Sequence, residues 1–500
     1  MKNMFRAVSA GIFLAFIISC GGGGGTTTQT VTPPPPPPPP PTFPNDTSKA
    51  QALPIRMGTT GGNSTDSTTN TGNNTITCCS GTLGALVSKG GNFFILSNNH
   101  VLDKSDQGKP GDPITQPGLV DNQCKGGTLV ATMSQAAPLT TSNVDAAIAQ
   151  VVPGTVDTTG SILDLGTADP ATMTIAPAPP SNILAAATVG LVVAKAGRST
   201  GLTCSTIGSV STNVKVDYST QCGNGGTTFT VTFNNQVVIN GGSFSAAGDS
   251  GSLVVTKDSA RPVALLFAGN TTSTTANPLP DVIAALGPFT IIGGGDHAVS
   301  CATTATVSSA TLNNGPSSAT LSASETQRAG VVRDKYAGPL MQDRTITSVE
   351  VGASADNPKE GAVVIHVNGT PGTSIPQLLD GVRTRIISSA RQNTVTVAAP
   401  EVERTAGVKD SHAGSLMAQE GILGVGVGAS ADSPGEPALV IYVEAGKQHS
   451  TIPAIIEGVR TKVVEGDRFR TFNWGKETQA PVSCPKPKAA ASLQHSALKH

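Results

Sequence analysis

Aromatic residues are scarce in this chain: 13 Phe, 3 Tyr and 1 Trp among 500 residues. Its cores must therefore be built from Val, Ile, Leu and Ala. Charge is scarce too, at 13% of residues with a net of −1, which leaves no basic surface for nucleic acid. The apolar run GIFLAFIIS (11–19) is too short to span a bilayer as a stable helix. The adjacent pair Cys78-Cys79 lacks the two-residue gap and histidine partners of a zinc knuckle, so no metal is expected, and no cofactor either.

What the chain does have begins with a targeting pattern. Lys2 and Arg6 precede the apolar run, which ends in Ile17-Ile18-Ser19-Cys20. This resembles a lipobox: residues 1–20 read as a lipoprotein signal peptide, with Cys20 acylated and holding the chain to a membrane. Gly21 follows, with no aspartate to suggest inner-membrane retention, so the expected place is the outer membrane or surface of a bacterial envelope. Residues 21–75 are Gly-, Thr- and Pro-rich, with nine prolines at 33–41, and read as a disordered stalk.

From 76 to 298, short runs such as GALVS, FFILS, AAIAQV, LVVAKA, QVVIN and VALLFA alternate with turns rich in Gly, Pro, Asn and Asp. That is the pattern of an all-β barrel domain. A Ser/Thr/Ala-rich linker is expected at 299–330, and a flexible tail at 476–500. Between them lies an internal repeat. VRDKYAGPLMQDRTITSVEVGASADNP aligns with VKDSHAGSLMAQEGILGVGVGASADSP, and IPQLLDGVRTRII with IPAIIEGVRTKVV. Two α+β units are expected, 331–395 and 396–475, each reading helix, strand, turn, strand, short helix, strand. Glycines at 424, 426 and 428 leave room for another backbone. Neither unit carries a catalytic constellation, so both are expected to bind a partner or to pack on the preceding domain.

Three short motifs carry chemistry. His100 ends the apolar run FFILSNNHVL (93–102), Asp145 heads the strand-like NVDAAIAQV (143–151), and Ser250 sits in AGDSGSLVV (247–255). A serine hydroxyl needs a base within hydrogen-bond reach, and the base needs an orienting carboxylate. Taken singly, each residue has an ordinary reading: a strand-end histidine, a turn aspartate, a loop serine. Together, with LSNNHVLD, GDPITQPG, AGRSTGLT, FSAAGDSGSLVV and ALLFAGN, they resemble the bacterial trypsin-like (chymotrypsin-fold) serine peptidases related to the plant narrow-leaf protease. The resemblance covers about residues 76–290. The loop NNHVLDKSDQGKPGD and the stretch between Cys204 and Phe233 depart from it.

The resemblance implies a double β-barrel ahead of the tandem α+β pair and a peptide or protein substrate. It also implies an oxyanion hole from the backbone N–H groups of Gly248 and Ser250. It puts the base of the S1 pocket near Phe244 and its walls near Phe267 to Gly269. With no carboxylate there, a preference for Arg or Lys is not expected. Asp249 is expected to hold the loop under Ser250, and Arg198 to be a salt-bridge residue. Besides Cys20, seven cysteines remain for an oxidising compartment. Cys204 with Cys222 is the favoured pair, with Cys79 or Cys78 to Cys124 and Cys301 to Cys484 as further pairs. The connectivity stays open. The competing readings are a surface binding protein without catalysis and a protein that processes only itself.

Overall fold

The computed structural model describes residues 46–70, 75–172, 174–222, 226–301, 321–369, 374–388, 397–471 and the backbone of 483–485. Cys20, the rest of the expected signal peptide, the proline run and nearly all of 476–500 lie outside these residues. The described chain is mostly β, with few helices. None of those helices is long and apolar enough to cross a membrane.

Two rings of antiparallel strands carry the first half. In the first, Asn92–Ser97 pairs with Ala147–Val151, then come Thr128–Ala136, Pro113–Gln116 and Thr59–Asn63. The ring closes because only Gly84 separates Gly81–Leu83, which pairs with Thr59–Asn63, from Ala85–Lys89, which pairs with Asn92–Ser97. The second ring runs Val192–Gly197, Leu253–Thr256, Pro262–Gly269, Ser273–Pro278, Thr228–Asn240, Gly201–Ser219, and back to Val192–Gly197. Strand pairing closes the second ring, and chain continuity through Gly84 closes the first. As the aromatic shortage demands, the first core is almost wholly aliphatic, from Ile55 and Met57 through Leu96, Val130 and Ile148 to Leu265.

Residues 46–70 correct the reading of 21–75 as stalk. Thr59–Asn63 is buried throughout and belongs to the first ring. Its TTGGN sequence looks low in complexity, but the small side chains are a packing requirement: a Cβ on Gly61 would lie 2.5 Å from Leu83. The alternation of Ile55 and Met57, both fully buried, was the available signal.

The C-terminal part forms two α+β units with one element order. The helix Ala323–Leu340 is followed by Ile346–Ala353, Gly361–Val367, Leu378–Leu379 and Val382–Ser388. The helix Ala399–Met417 is followed by Ile422–Ala429, Pro437–Glu444, Ile455–Ile456 and Val459–Gly466. In each, the first two long strands are antiparallel and the second and last are parallel. Two expectations change here. The first helix begins inside the stretch read as linker (299–330). The expected short helices at IPQLLDGV and IPAIIEGV are tight hairpins, in which Asp380-Gly381 and Glu457-Gly458 both take positive φ. An Asp-Gly pair between apolar runs is the usual signature of such a turn.

The units grip each other reciprocally. Asp432 accepts from Ser354 Oγ (2.5 Å) and Ala355 N (2.6 Å), while Asp356 accepts from Ser430 Oγ (2.5 Å) and Ala431 N (2.6 Å). Arg383 donates to Thr461 and Arg460 to Thr384. Burial, then the nearby Asp356, pushes the Asp432 carboxyl up to about 6.

The second unit is not a separate body. Ile422–Ala429 pairs with Gly201–Ser219 of the second ring, so the sheet runs on from one into the other. The three glycines make this contact possible: a Cβ on Gly426 would lie 2.2 Å from Thr212 Oγ1, and one on Gly428 2.6 Å from the Gly208 carbonyl. Phe469–Arg470 then adds a parallel pairing to Val216 and Asp217 and an antiparallel one to Gly269.

Candidate active site

His100 lies on the one-turn helix Asn99–Leu102 that follows strand Asn92–Ser97. The loop behind it departs from ordinary backbone: Lys104, Ser105 and Asp106 all have positive φ (54°, 56° and 66°). For non-glycine residues this is costly and needs fixing from outside. The Asn99 amide does so, donating to Asp106 Oδ1 (2.6 Å) and the Ala137 carbonyl (2.9 Å) and accepting from Asp106 N (3.0 Å). This is the loop NNHVLDKSDQGKPGD that departs from the peptidase pattern.

Asp145 comes from the turn ahead of Ala147–Val151, and since that strand pairs with Asn92–Ser97, the aspartate arrives beside the helix. His100 Nδ1 lies 2.6 Å from Asp145 Oδ2, and the His100 backbone N–H donates to Asp145 Oδ1 (3.2 Å). The aspartate is itself tied down. Its N–H donates to Asn277 Oδ1 (3.1 Å), its carbonyl accepts from the Asn98 amide (2.7 Å), and Tyr218 OH donates to Oδ2 (2.8 Å). The fully buried carboxylate takes donors from His100 and Tyr218, and with the backbone bonds to Asn98 and Asn277 it is fixed in place.

Ser250 sits in the loop leading into strand Leu253–Thr256. Its Oγ donates to the Phe267 carbonyl (3.3 Å), and its own carbonyl accepts from Thr82 N (2.8 Å). Gly248 takes φ +99°, where a side chain is strained, and its carbonyl accepts from Thr82 Oγ1 (2.9 Å). The loop docks on the closing strand of the first ring. A Cβ on Gly84 would lie 1.8 Å from the Gly251 carbonyl, and one on Gly81 would lie 2.9 Å from the Ser250 carbonyl and 2.5 Å from Val101. Gly81 is thus wedged between the serine loop and the residue after His100. His100 and Ser250 are each 2% exposed.

Asp249 holds the loop from below. It accepts from the N–H groups of Ser199, Thr200 and Ala246, and Lys195 lies 3.5 Å away with its side chain buried. Burial lowers the Lys195 pKa, against the pull of Asp249. Arg198 forms a two-pronged pair with Asp121 (2.6 and 2.9 Å).

A narrow cleft beside His100 is lined by Asp66, Lys104, Ser105, Ser219, Thr220, Gln221 and Cys222. Burial pushes the half-buried Asp66 carboxyl up to about 7, against Lys104 and His100. Asp66 also lies by the sulfurs of Cys79 and Cys222, which are bonded to each other.

The two phenylalanines read as the S1 pocket lie in different apolar clusters. The Phe244 ring packs with Val193, Ile207 and Val237, and the Phe267 ring with Tyr218 and Phe233. Both rings are buried, at 2% and 0% exposed, because a chain this poor in aromatics spends them on cores. Gly269 pairs with Arg470.

The disulfides correct two of the expected pairs. Cys78 joins Cys124, but Cys79 joins Cys222 and Cys204 joins Cys301. Cys204 and Cys222 do not pair: Cys204 lies near the start of strand Gly201–Ser219, with its sulfur bonded to Cys301, and Cys222 lies in the turn beyond the strand's far end, with its sulfur bonded to Cys79. Cys301 is therefore not available to Cys484, whose strand Ser483–Pro485 pairs with Thr75–Cys78 instead. Tyr218, Asn98, Asn277, Asp66 and Lys195 were not anticipated. Of these, Tyr218 carried a signal: it is one of three tyrosines, placed at the end of the alternating VKVDYS.

No family model matches the chain, and no curated protein matches it. Among solved structures it is similar to a glutamic-acid-specific serine protease, at 18% identity and a TM-score of 0.32 over 47% of this chain and 100% of that one. It is similar to Thermobifida fusca protease A, at 15% and 0.30 over 47% and 98%. It is also similar to Cellulomonas bogoriensis chymotrypsin, at 15% and 0.27 over 43% and 91%. These neighbours are serine proteases.

Proposed function

We propose that the chain is a serine endopeptidase, its two strand rings forming a chymotrypsin-like double barrel, held at a bacterial envelope through an acylated Cys20. One observation carries the catalytic reading: the buried Asp145 carboxylate lies 2.6 Å from His100 Nδ1 and accepts from Tyr218 OH, while its backbone is held by Asn98 and Asn277. Such a carboxylate sets the imidazole tautomer that leaves Nε2 able to accept a proton.

In this reading Ser250 Oγ attacks a peptide carbonyl while His100 takes its proton. His100 then returns the proton to the leaving amine, and water resolves the acyl-enzyme by the same route. The N–H groups of Gly248 and Ser250 hold the oxyanion, each worth about 3 to 4 kcal/mol. Asp249, paired with Lys195 and fed by three backbone donors, keeps that loop in shape. Ser250→Ala tests the assignment. Turnover of an unfolded protein substrate should fall on the order of 10⁶-fold with the far-ultraviolet circular dichroism unchanged. Full activity in that variant would sink it.

A second reading, self-processing, is favoured by one feature. His100 and Ser250 are nearly closed off, and the chain's own Arg470 pairs with Gly269, two residues beyond the carbonyl that receives Ser250 Oγ. Wild-type protein would then convert to a shorter form that Ser250→Ala never yields, and would leave added peptides intact.

A further inference from the structure

Tyr218 is 1% exposed and lies against the imidazole, its ring edge-on to His100 with centroids 6.2 Å apart and planes at 73°. It stacks on Phe229 at 5.5 Å and tilts against Phe233 at 6.2 Å. Its hydroxyl donates to Asp145 Oδ2, the oxygen that also faces His100 Nδ1. Burial, and after it the neighbouring Asp145, hold the phenol well above its ordinary range, so it stays a donor at every working pH.

What holds the ring there comes from the far end of the chain. Tyr218 lies near the end of strand Gly201–Ser219, which Ile422–Ala429 pairs from Ser209 to Val214. Phe469–Arg470 then pairs with Val216 and Asp217. Arg468 grips Asp217, the residue before Tyr218, through Nε (2.6 Å) and Nη2 (2.9 Å). The fully buried Phe469 ring belongs to the same apolar cluster as Tyr218. On the other side, Cys222 is bonded to Cys79, just ahead of the first ring's strand Gly81–Leu83.

We infer that Tyr218 is a positioning residue for the Asp145–His100 pair, and that the second α+β unit with its trailing strand holds Tyr218 in place. The inference rests on the peptidase reading above. Its chemistry is simple: a hydroxyl that shares the negative charge of Oδ2 fixes the carboxylate's rotation and moderates its attraction for an imidazolium. Without that hydroxyl the carboxylate turns more freely, and the full charge falls on the oxygen facing Nδ1. The imidazole then keeps its proton to higher pH. The other charged groups around the pair are Asp66 and Lys104 on the cleft side, Asp106 toward the tyrosine, and the Asp217–Arg468 pair behind the strand. Tyr218→Phe leaves all of them in place, so its effect isolates the hydroxyl.

The experiment measures the rate of Ser250 phosphonylation by a fluorophosphonate, and peptide hydrolysis, from pH 5 to 9 in full-length wild type, Tyr218→Phe and Arg468→Ala. Tyr218→Phe should lower kcat roughly 10- to 100-fold, the range for one charge-assisted hydrogen bond, with KM within about twofold. The acid limb of its pH profile should move to higher pH. Arg468→Ala should shift both quantities in the same direction by less. An unchanged rate and limb in Tyr218→Phe overturns the inference, and so does a lower rate with an unmoved limb, because packing damage alone slows the reaction without changing the imidazole's proton affinity. An Arg468→Ala protein that matches wild type or exceeds it overturns the coupling to the C-terminal unit. If wild type itself is never labelled, the peptidase reading fails first; a labelled wild type with an identical Tyr218→Phe sinks the positioning role alone.

Discussion

Phe469→Ala should destabilise the second strand ring, although residue 469 lies far beyond it in sequence. The Phe469 ring is fully buried, edge-on to Tyr442 with centroids 5.7 Å apart, in a cluster with Val214, Val216, Tyr218, Phe233 and Phe267. All but Tyr442 in that group belong to the ring. Removing a buried phenyl loses its transfer free energy and leaves a cavity that stiff β neighbours fill poorly, a cost of about 3 to 5 kcal/mol. Backbone pairing to Val216 survives the change, so the estimate concerns the side chain alone. Urea unfolding followed by circular dichroism reads the cost. Hydrogen exchange over 201–219 and 262–269 shows where it falls, and both strands should exchange faster in the variant. A cost under about 1 kcal/mol, or a loss of protection confined to 397–466, would refute the claim that ring and C-terminal unit share one core.

Gly84→Ala should cut peptidase activity at least ~100-fold with the rings intact, because its Cβ would lie 1.8 Å from the Gly251 carbonyl and push the serine loop out of register; activity assays beside circular dichroism check this. Asp66 keeps its proton in the folded chain up to about 7, against an ordinary 3.8, so it costs stability progressively as pH rises across that interval. Asp66→Asn should therefore melt close to wild type at pH 3.5 and above it at pH 8, and a gap that shrinks with rising pH would contradict the assignment. Cys20→Ala should move the protein from the membrane fraction to the soluble one with catalysis unchanged, and an unaltered sedimenting fraction would rule out the acyl anchor.

How much of this was legible in the sequence depended on the range of the interactions involved. His100, Asp145 and Ser250 each sit in a local pattern of strand and turn, and the structure sets the first two in direct contact. The β character of the first domain follows from its short apolar runs, while its division into two rings is what the resemblance implied. Tyr218, Lys195 and Phe469 act across gaps of tens to hundreds of residues, and no local spacing announces such partners. The disulfides failed for a related reason. Cys204 and Cys222 look like a hairpin pair until one sees that Cys204 lies near the start of strand Gly201–Ser219 while Cys222 lies in the turn beyond its far end. The Thr/Gly stretch at 59–63 was misread because composition alone does not separate a disordered segment from a strand whose neighbours need small side chains. The three glycines at 424, 426 and 428 were read correctly as a close approach, while the strand that approaches them, Gly201–Ser219, lies in another domain of the sequence map.

The central claim is that Ser250 is a nucleophile activated by His100 and Asp145. Its most direct measurement is the site of covalent capture: incubate the full-length protein with a fluorophosphonate, digest it, and map the adduct by mass spectrometry. The account predicts one adduct, on Ser250, formed in wild type and lost in His100→Ala. An adduct on another serine, or labelling of Ser250 that persists at the wild-type rate without His100, would contradict it.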